Sequence, residues 1–301
     1  MKRTTILALT AALLWATAYA GVKIGLEYAE PFFFAGIRFM ISGLLIIPFA
    51  GRIRGYVSFF RENWRTVLPV SLLQTSLFYG LYFQGINLVP AAVAAIVMGS
   101  EPLFVALTAH ALTHDDKFTL RKGFSIAGAV IGIALLSMQR DFGDAAGLRE
   151  ILGIAVLLLT CFVGSFGQMI VKRKALDPLF LNSQQILLGG AVLLIMSLIT
   201  GEKMPASLPL PFISVLLWLS FVSACAFSIW YSLLKRREVK VSELNLYKFI
   251  IPVAGAVFSW LMIPAEGPDL ITVIGMVLIA VSVMLFFINR ERLPKVIQDM
   301  E

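Results

Sequence analysis

Residues 91–112 read AAVAAIVMGSEPLFVALTAHAL, twenty-two positions without a lysine or arginine, interrupted by one acidic residue, Glu101, and by Pro102 directly after it. At about 1.5 Å of rise per residue, a helix of this length crosses a hydrocarbon core of about 30 Å. Nine further apolar stretches share that character: Thr4–Val22, Pro31–Ala50, Thr66–Gly85, Gly123–Met138, Ile151–Val171, Pro178–Thr200, Phe212–Leu234, Ser242–Ile263 and Leu270–Ile288. They occupy most of a 301-residue chain that is 59% hydrophobic and only 14% charged. A mean hydropathy of +0.87 is too apolar for a domain whose surface faces water, so lipid is the expected solvent. None of the runs alternates as barrel strands do, and helices satisfy their own backbone hydrogen bonds in lipid. The expected fold is an all-α integral membrane protein with ten transmembrane helices.

Basic residues test that count, because lysine and arginine in short loops stay on the cytoplasmic side. Alternate connections, beginning with Lys2 and Arg3 and ending with Arg290, Arg292 and Lys295, hold nineteen of the 25 basic residues. The intervening connections hold four, and Arg38 and Lys248 fall inside helices. A miscounted crossing would scramble the alternation, so both termini are placed in the cytoplasm. The net charge of +7 follows from topology and calls for no nucleic acid. Lys2-Arg3 followed by an apolar run also fits a secretory leader, with Ala16-Thr17-Ala18 as a cleavage site, although small residues are equally at home in packed membrane helices. Cys161 and Cys225 lie within helices and give no redox or zinc spacing. No cofactor or metal is expected.

The chain repeats itself. Pro31, Arg38 and Gly43 stand 147 residues before Pro178, Gln185 and Gly190, Gly128 stands 147 before Gly275, and Pro102 stands 150 before Pro252. Two five-helix units are therefore expected, residues 1–140 and 151–290, joined by an external linker at 141–150 and followed by a tail at 291–301. Five is odd, so the second unit enters the membrane from the opposite side. Inverted repeats permit alternating access to a site near the bilayer midplane.

Several motifs follow one another along the helices. They are Leu14-Trp15-Ala16-Thr17 in the first helix, Arg38-Phe39 in the second, Tyr82 near the end of the third, and Glu101-Pro102-Leu103-Phe104 and Ile251-Pro252-Val253-Ala254 in the fourth and ninth. With Gly-rich fifth and tenth helices, this pattern resembles the EamA-like permeases of the drug/metabolite transporter superfamily over residues 4–290. Where that family often has an acidic residue before the ninth-helix proline, this chain has Ile251. The resemblance implies a ten-helix carrier of metabolites whose central cavity is lined mainly by helices 1, 3, 4, 6, 8 and 9.

Ionisable groups at membrane depth are costly and mark function. Glu101 lies eleven residues past Pro90, about 16 Å along a helix and close to the midplane. It reads either as a proton-coupling or cation-binding carboxylate or as half of a salt bridge with Arg38 or Lys248. Pro102 and Pro252 would kink their helices and free the carbonyls of Met98 and Lys248. Lys248, with Asn245 nearby on the same helix, reads as a carboxylate ligand or as a lysine snorkelling to the interface. Arg38 reads as a substrate ligand or as a brace between helices. Trp15, Tyr19, Gln74, Tyr79, Tyr82, Gln168 and Gln185 form a second tier of lining candidates, for which ordinary helix packing is the competing reading. Trp230 and Tyr231 read as lining or as interfacial belt, and His110 and His114 as interface residues.

No Walker A loop or nucleophile elbow is present in the sequence, so energy would come from a gradient. The expected function is export of amino acids or similar small organic metabolites across the plasma membrane. Efflux of hydrophobic cations is the alternative, and a membrane enzyme the less favoured one. A monomer or a homodimer built on the small-residue fifth and tenth helices would serve.

Overall fold

The computed structural model describes residues 2–51, 53–113, 128, 131–132, 145–174, 176–205, 207–236, 244 and 247–287. Among these, helices are the only regular structure. They are α1 (Lys2–Gly25), α2 (Pro31–Ala50), α3 (Ile53–Ser71), a π-helical turn (Leu72–Ser76), α4 (Leu77–Leu88), α5 (Ala91–Met98) and α6 (Glu101–Thr113). After these come α7 (Ala145–Lys174), α8 (Pro178–Thr200), α9 (Leu210–Lys235), a 3₁₀ turn (Tyr247–Phe249), α10 (Ile250–Met262) and α11 (Leu270–Phe287). Six helical spans are long and apolar enough to cross a membrane, and three shorter apolar helices accompany them. Most of the expected fifth helix, Gly123–Met138, lies outside the described residues, as do residues 141–144 of the expected linker and the tail.

Local chemistry sets the helix ends. Pro31 and Pro178 open α2 and α8, where a missing N–H costs nothing. Asp177 caps α8 by accepting from the Leu179 and Phe180 amides at 3.0 and 3.2 Å. Gly201 ends it at φ 71°, a left-handed conformation that glycine adopts without strain.

Several boundaries differ from the sequence reading; α7 begins at Ala145 rather than Ile151 and so takes in the second half of the expected linker, and two differences bear on the site. The third span begins at Ile53 rather than Thr66 and runs 36 residues to Leu88. Its first turns carry Arg54, Arg61 and Arg65 on a polar helical face, which a search for continuous apolar runs passes over. The stretch 91–112 is two helices rather than one kinked helix, broken at Gly99–Ser100. Pro102 thus stands in the first turn of α6, where proline is tolerated. At the break, a Cβ on Gly99 would come within 2.8 Å of Pro252, so α5 and α10 cross closely there.

Contacts at the helix ends fix how the spans alternate. At the end where α1 starts, Arg236 donates to Thr4 Oγ1 at 3.1 Å and Lys172 Nζ to the Leu234 carbonyl at 3.3 Å. At the opposite end Lys23 Nζ donates to the carbonyls of Ile86, Asn87 and Val89 at 3.1, 3.2 and 2.8 Å. There Glu202, just past α8, accepts from the Phe32 and Phe33 amides at 3.0 and 2.8 Å. Glu266, past α10, accepts from those of Ala91 and Ala92 at 2.7 and 3.1 Å. Both carboxylates sit on helix N-termini, where orphan amides and the helix dipole favour an anion.

The α2–α8 interface is reciprocal. A Cβ on Gly43 would lie 3.1 Å from the Ser183 carbonyl, and one on Gly190 would lie 3.1 Å from the Gly36 carbonyl. Positions 183 and 190 follow 36 and 43 by 147 residues each, so the two close approaches fall at sequence positions related by one interval. The outer surface is apolar, with Phe49, Leu210, Leu261 and Leu270 each more than 70% exposed. A surface of this kind belongs in lipid.

Candidate functional site

One cavity among the described residues gathers Glu101, Lys248, Arg38, Gln74 and Gln168 from separate elements. The space inside it that the centre of a water molecule can occupy is about 80 Å³, enough for several waters or a small ligand group. Helix α1 contributes Trp15 and Tyr19, α2 contributes Arg38, the π turn Gln74, and α4 Phe78, Tyr79 and Tyr82. Across from them stand Glu101 on α6, Gln168 on α7, Phe227, Trp230 and Tyr231 on α9, and Lys248 on the 3₁₀ turn.

The break at Gly99–Ser100 makes Glu101 the first residue of α6. Its Oε2 meets Lys248 Nζ at 3.1 Å, and its Oε1 accepts from Gln168 Nε2 at 2.5 Å. The two charged side chains are 13% and 7% exposed. Lys248 therefore does not snorkel; it turns inward, its ammonium 5.5 Å from the Trp15 ring and 5.1 Å from the Trp230 ring, within cation–π range. Those indoles pack edge to face at 5.2 Å. The two partners stand 147 residues apart in sequence.

Arg38 is 1% exposed. Its Nε donates to the Leu219 carbonyl at 3.3 Å and its Nη2 to Ser223 Oγ at 2.8 Å. The guanidinium lies 4.9 Å from the Phe39 ring and 5.7 Å from those of Tyr79 and Phe83. Arg38 thus braces α2 to α9, and it also lines the cavity. Gln74 is similarly committed, donating to the Gly164 carbonyl at 2.6 Å.

Of the residues singled out in the sequence, Glu101, Lys248, Arg38, Trp15, Tyr19, Gln74, Tyr79, Tyr82 and Gln168 line this one cavity. Gln185 does not. It accepts from Thr75 Oγ1 at 2.5 Å and donates to Asn182 Oδ1 at 3.3 Å, tying α8 to the π turn. Pro252 packs at the helix crossing beside Gly99. Asn245, His114 and the side chain of His110 lie outside the described residues. Trp230 and Tyr231 are 2% and 3% exposed, so they belong to the lining rather than to an interfacial belt. Phe78 and Phe227 were not singled out at all, because an apolar ring inside an apolar helix carries no signal of its own.

Among the described residues, five buried polar atoms of the lining have no hydrogen-bond partner: Trp15 Nε1, Trp230 Nε1, Arg38 Nη1, Tyr231 Oη and Gln168 Oε1. Buried polar groups are ordinarily satisfied, and their concentration here marks a place built to hold something polar.

Comparison with known proteins agrees with this architecture. The EamA-like transporter family matches the chain twice, at residues 2–138 and 151–288. The uncharacterized transporter YvbV of Bacillus subtilis is 26% identical over 94% of this chain and 91% of its own. The uncharacterized inner membrane transporter YedA of Escherichia coli K12 is 26% identical over 82% of this chain and 78% of its own. A solved crystal structure, 21% identical, superposes with a TM-score of 0.64 over 95% of this chain and 96% of that one, and shows the fold.

Proposed function

The chain belongs to the EamA-like transporter family, a multi-pass membrane protein and a transporter rather than an enzyme, and from that premise we propose that it exports amino acids or similar small organic metabolites across the plasma membrane by alternating access. The observation that carries this reading is the Glu101–Lys248 ion pair, two opposite charges 3.1 Å apart inside the cavity. A zwitterion can replace that pair one for one, its ammonium on Glu101 and its carboxylate on Lys248. Each protein charge then exchanges one partner for another, and no charge is stranded in low dielectric. Glu101 is also the proton-coupling group of this scheme. Gln168, bonded to Oε1, holds the carboxylate in place during the exchange.

The proposed frame is ten helices in two inverted five-helix units, residues 1–140 and 151–290, with both termini cytoplasmic. The two family matches begin 149 residues apart, and the Lys23 and Lys172 contacts, also 149 apart in sequence, brace opposite ends of the bundle. Both features support the frame. Efflux of hydrophobic cations fits the aromatic walls, but the charge opposes it, because an entering cation meets Arg38 and Lys248 with Glu101 alone to receive it.

Proteoliposomes carrying a pH gradient test the reading. Glu101→Gln is expected to abolish gradient-driven amino-acid flux and weaken binding, and neutralising Lys248 to reduce carboxylate transport. Unchanged flux and affinity in Glu101→Gln would remove that residue from the mechanism. Flux measured against each orientation of the gradient tests export.

A further inference from the structure

The charges of the cavity do not balance. Its lining contains three ionised side chains, Arg38, Lys248 and Glu101, and the last two close on each other. Arg38 meets a carbonyl, a hydroxyl and three aromatic rings; among the described residues no carboxylate reaches it. One positive charge is left over in a buried space, where an uncompensated ion is costly.

The unpartnered atoms point the same way. Trp15 Nε1, Trp230 Nε1 and Arg38 Nη1 can only donate, the Tyr231 hydroxyl can donate, and Gln168 Oε1 is the lone pure acceptor. A lining rich in spare donors and short of acceptors complements a ligand rich in acceptors. A guanidinium with a free N–H presents the planar fork that suits a carboxylate or another oxyanion. A neutral zwitterion satisfies Glu101 and Lys248 and leaves Arg38 as it was.

We propose that Arg38 is a separate anion subsite and that the loaded cavity holds one negative charge more than a neutral zwitterion supplies. This rests on the reading of the cavity as the transport site and adds the charge of the cargo. The extra charge has two possible sources, a second acidic group on the substrate or a small inorganic anion bound beside it. In either case the complex becomes electroneutral, with the anion on Arg38 and the zwitterionic head between Glu101 and Lys248.

Glutamate and glutamine separate the sources, being nearly the same size and differing by one charge. Their binding to the purified full-length protein is measured by calorimetry and thermal shift in gluconate buffer and in chloride buffer. Chloride and formate are also titrated alone. If the substrate supplies the charge, glutamate binds about ten- to a hundredfold more tightly than glutamine in either buffer, and Arg38→Gln removes the difference. If an inorganic anion supplies it, glutamine binding requires chloride, and Arg38→Gln removes that requirement. Arg38→Lys keeps the charge in a similar volume, and is expected to retain part of the anion dependence should Arg38→Gln fold poorly. Equal binding of both amino acids in both buffers, with loss only in Glu101→Gln, would overturn the anion subsite and leave the zwitterion reading standing. If neither amino acid binds, a chloride or formate shift that depends on Arg38 still supports the subsite while the zwitterion reading fails. The absence of any such shift overturns both.

Discussion

Replacing Lys248 by methionine removes an ammonium 3.1 Å from Glu101 Oε2 while leaving an unbranched stem between the Trp15 and Trp230 rings. The carboxylate, 13% exposed, keeps only the Gln168 amide among the described residues. Removing one partner of a buried ion pair costs about 3–5 kcal/mol, chiefly because the other charge stays buried alone. Glu101→Gln strands the ammonium instead, but two indole rings still face it, so its loss is expected near the lower figure of about 3 kcal/mol. The double variant Glu101→Gln/Lys248→Met strands nothing and is expected within about 1 kcal/mol of the parent. The coupling energy of the cycle is then several kcal/mol, far outside the roughly 0.5 kcal/mol seen for independent sites. Reversible unfolding in mixed micelles of rising dodecyl sulfate fraction measures all four proteins. Losses that simply add, the double variant falling as far as the two singles together, would refute a closed ion pair in the cavity.

Other substitutions probe the frame. Glu266→Ala removes the acceptor for the Ala91 and Ala92 amides; a loss of about 1–2 kcal/mol is expected, with faster hydrogen exchange at those two amides. Gly99→Ala places a Cβ within 2.8 Å of Pro252, and a thermal unfolding series should register about 1–3 kcal/mol of overpacking. Gln185→Leu breaks bonds to Thr75 and Asn182 outside the cavity. It is expected to lower stability by about 1–2 kcal/mol while leaving substrate affinity unchanged, and a shifted affinity would place Gln185 back in the site.

Apolar length made most spans legible, since lipid imposes one solution on a run of about 20 apolar residues. The ends were less legible. Arg54, Arg61 and Arg65 sit on helix α3 because a helix can continue past the hydrocarbon on a polar face, where the apolar signal stops. The proline after Glu101 announced an irregularity, but the break precedes it at Gly99–Ser100, where Gly99 lies against Pro252, more than 150 positions away. The ionised lining residues were readable because each is expensive at depth. Their pairing was not, and Glu101 could as readily have met Arg38. The 147-residue interval assigns Gln185 the place of Arg38, yet only Arg38 lines the cavity. Periodic likeness transfers backbone position more faithfully than the use to which a side chain is put.

The ion pair has a meaning for how such a chain diverges. Under the two-unit reading the proline register sets Ile251, 150 residues on, opposite Glu101, so the carboxylate has no acidic twin, and its counter-ion, Lys248, comes from three residues earlier in the other unit. Supplying Glu from one unit and Lys from the other builds the counter-ion into the polypeptide. The empty carrier then needs no small ion to stay neutral at that point, and once the two units have parted in this way neither can substitute for the other.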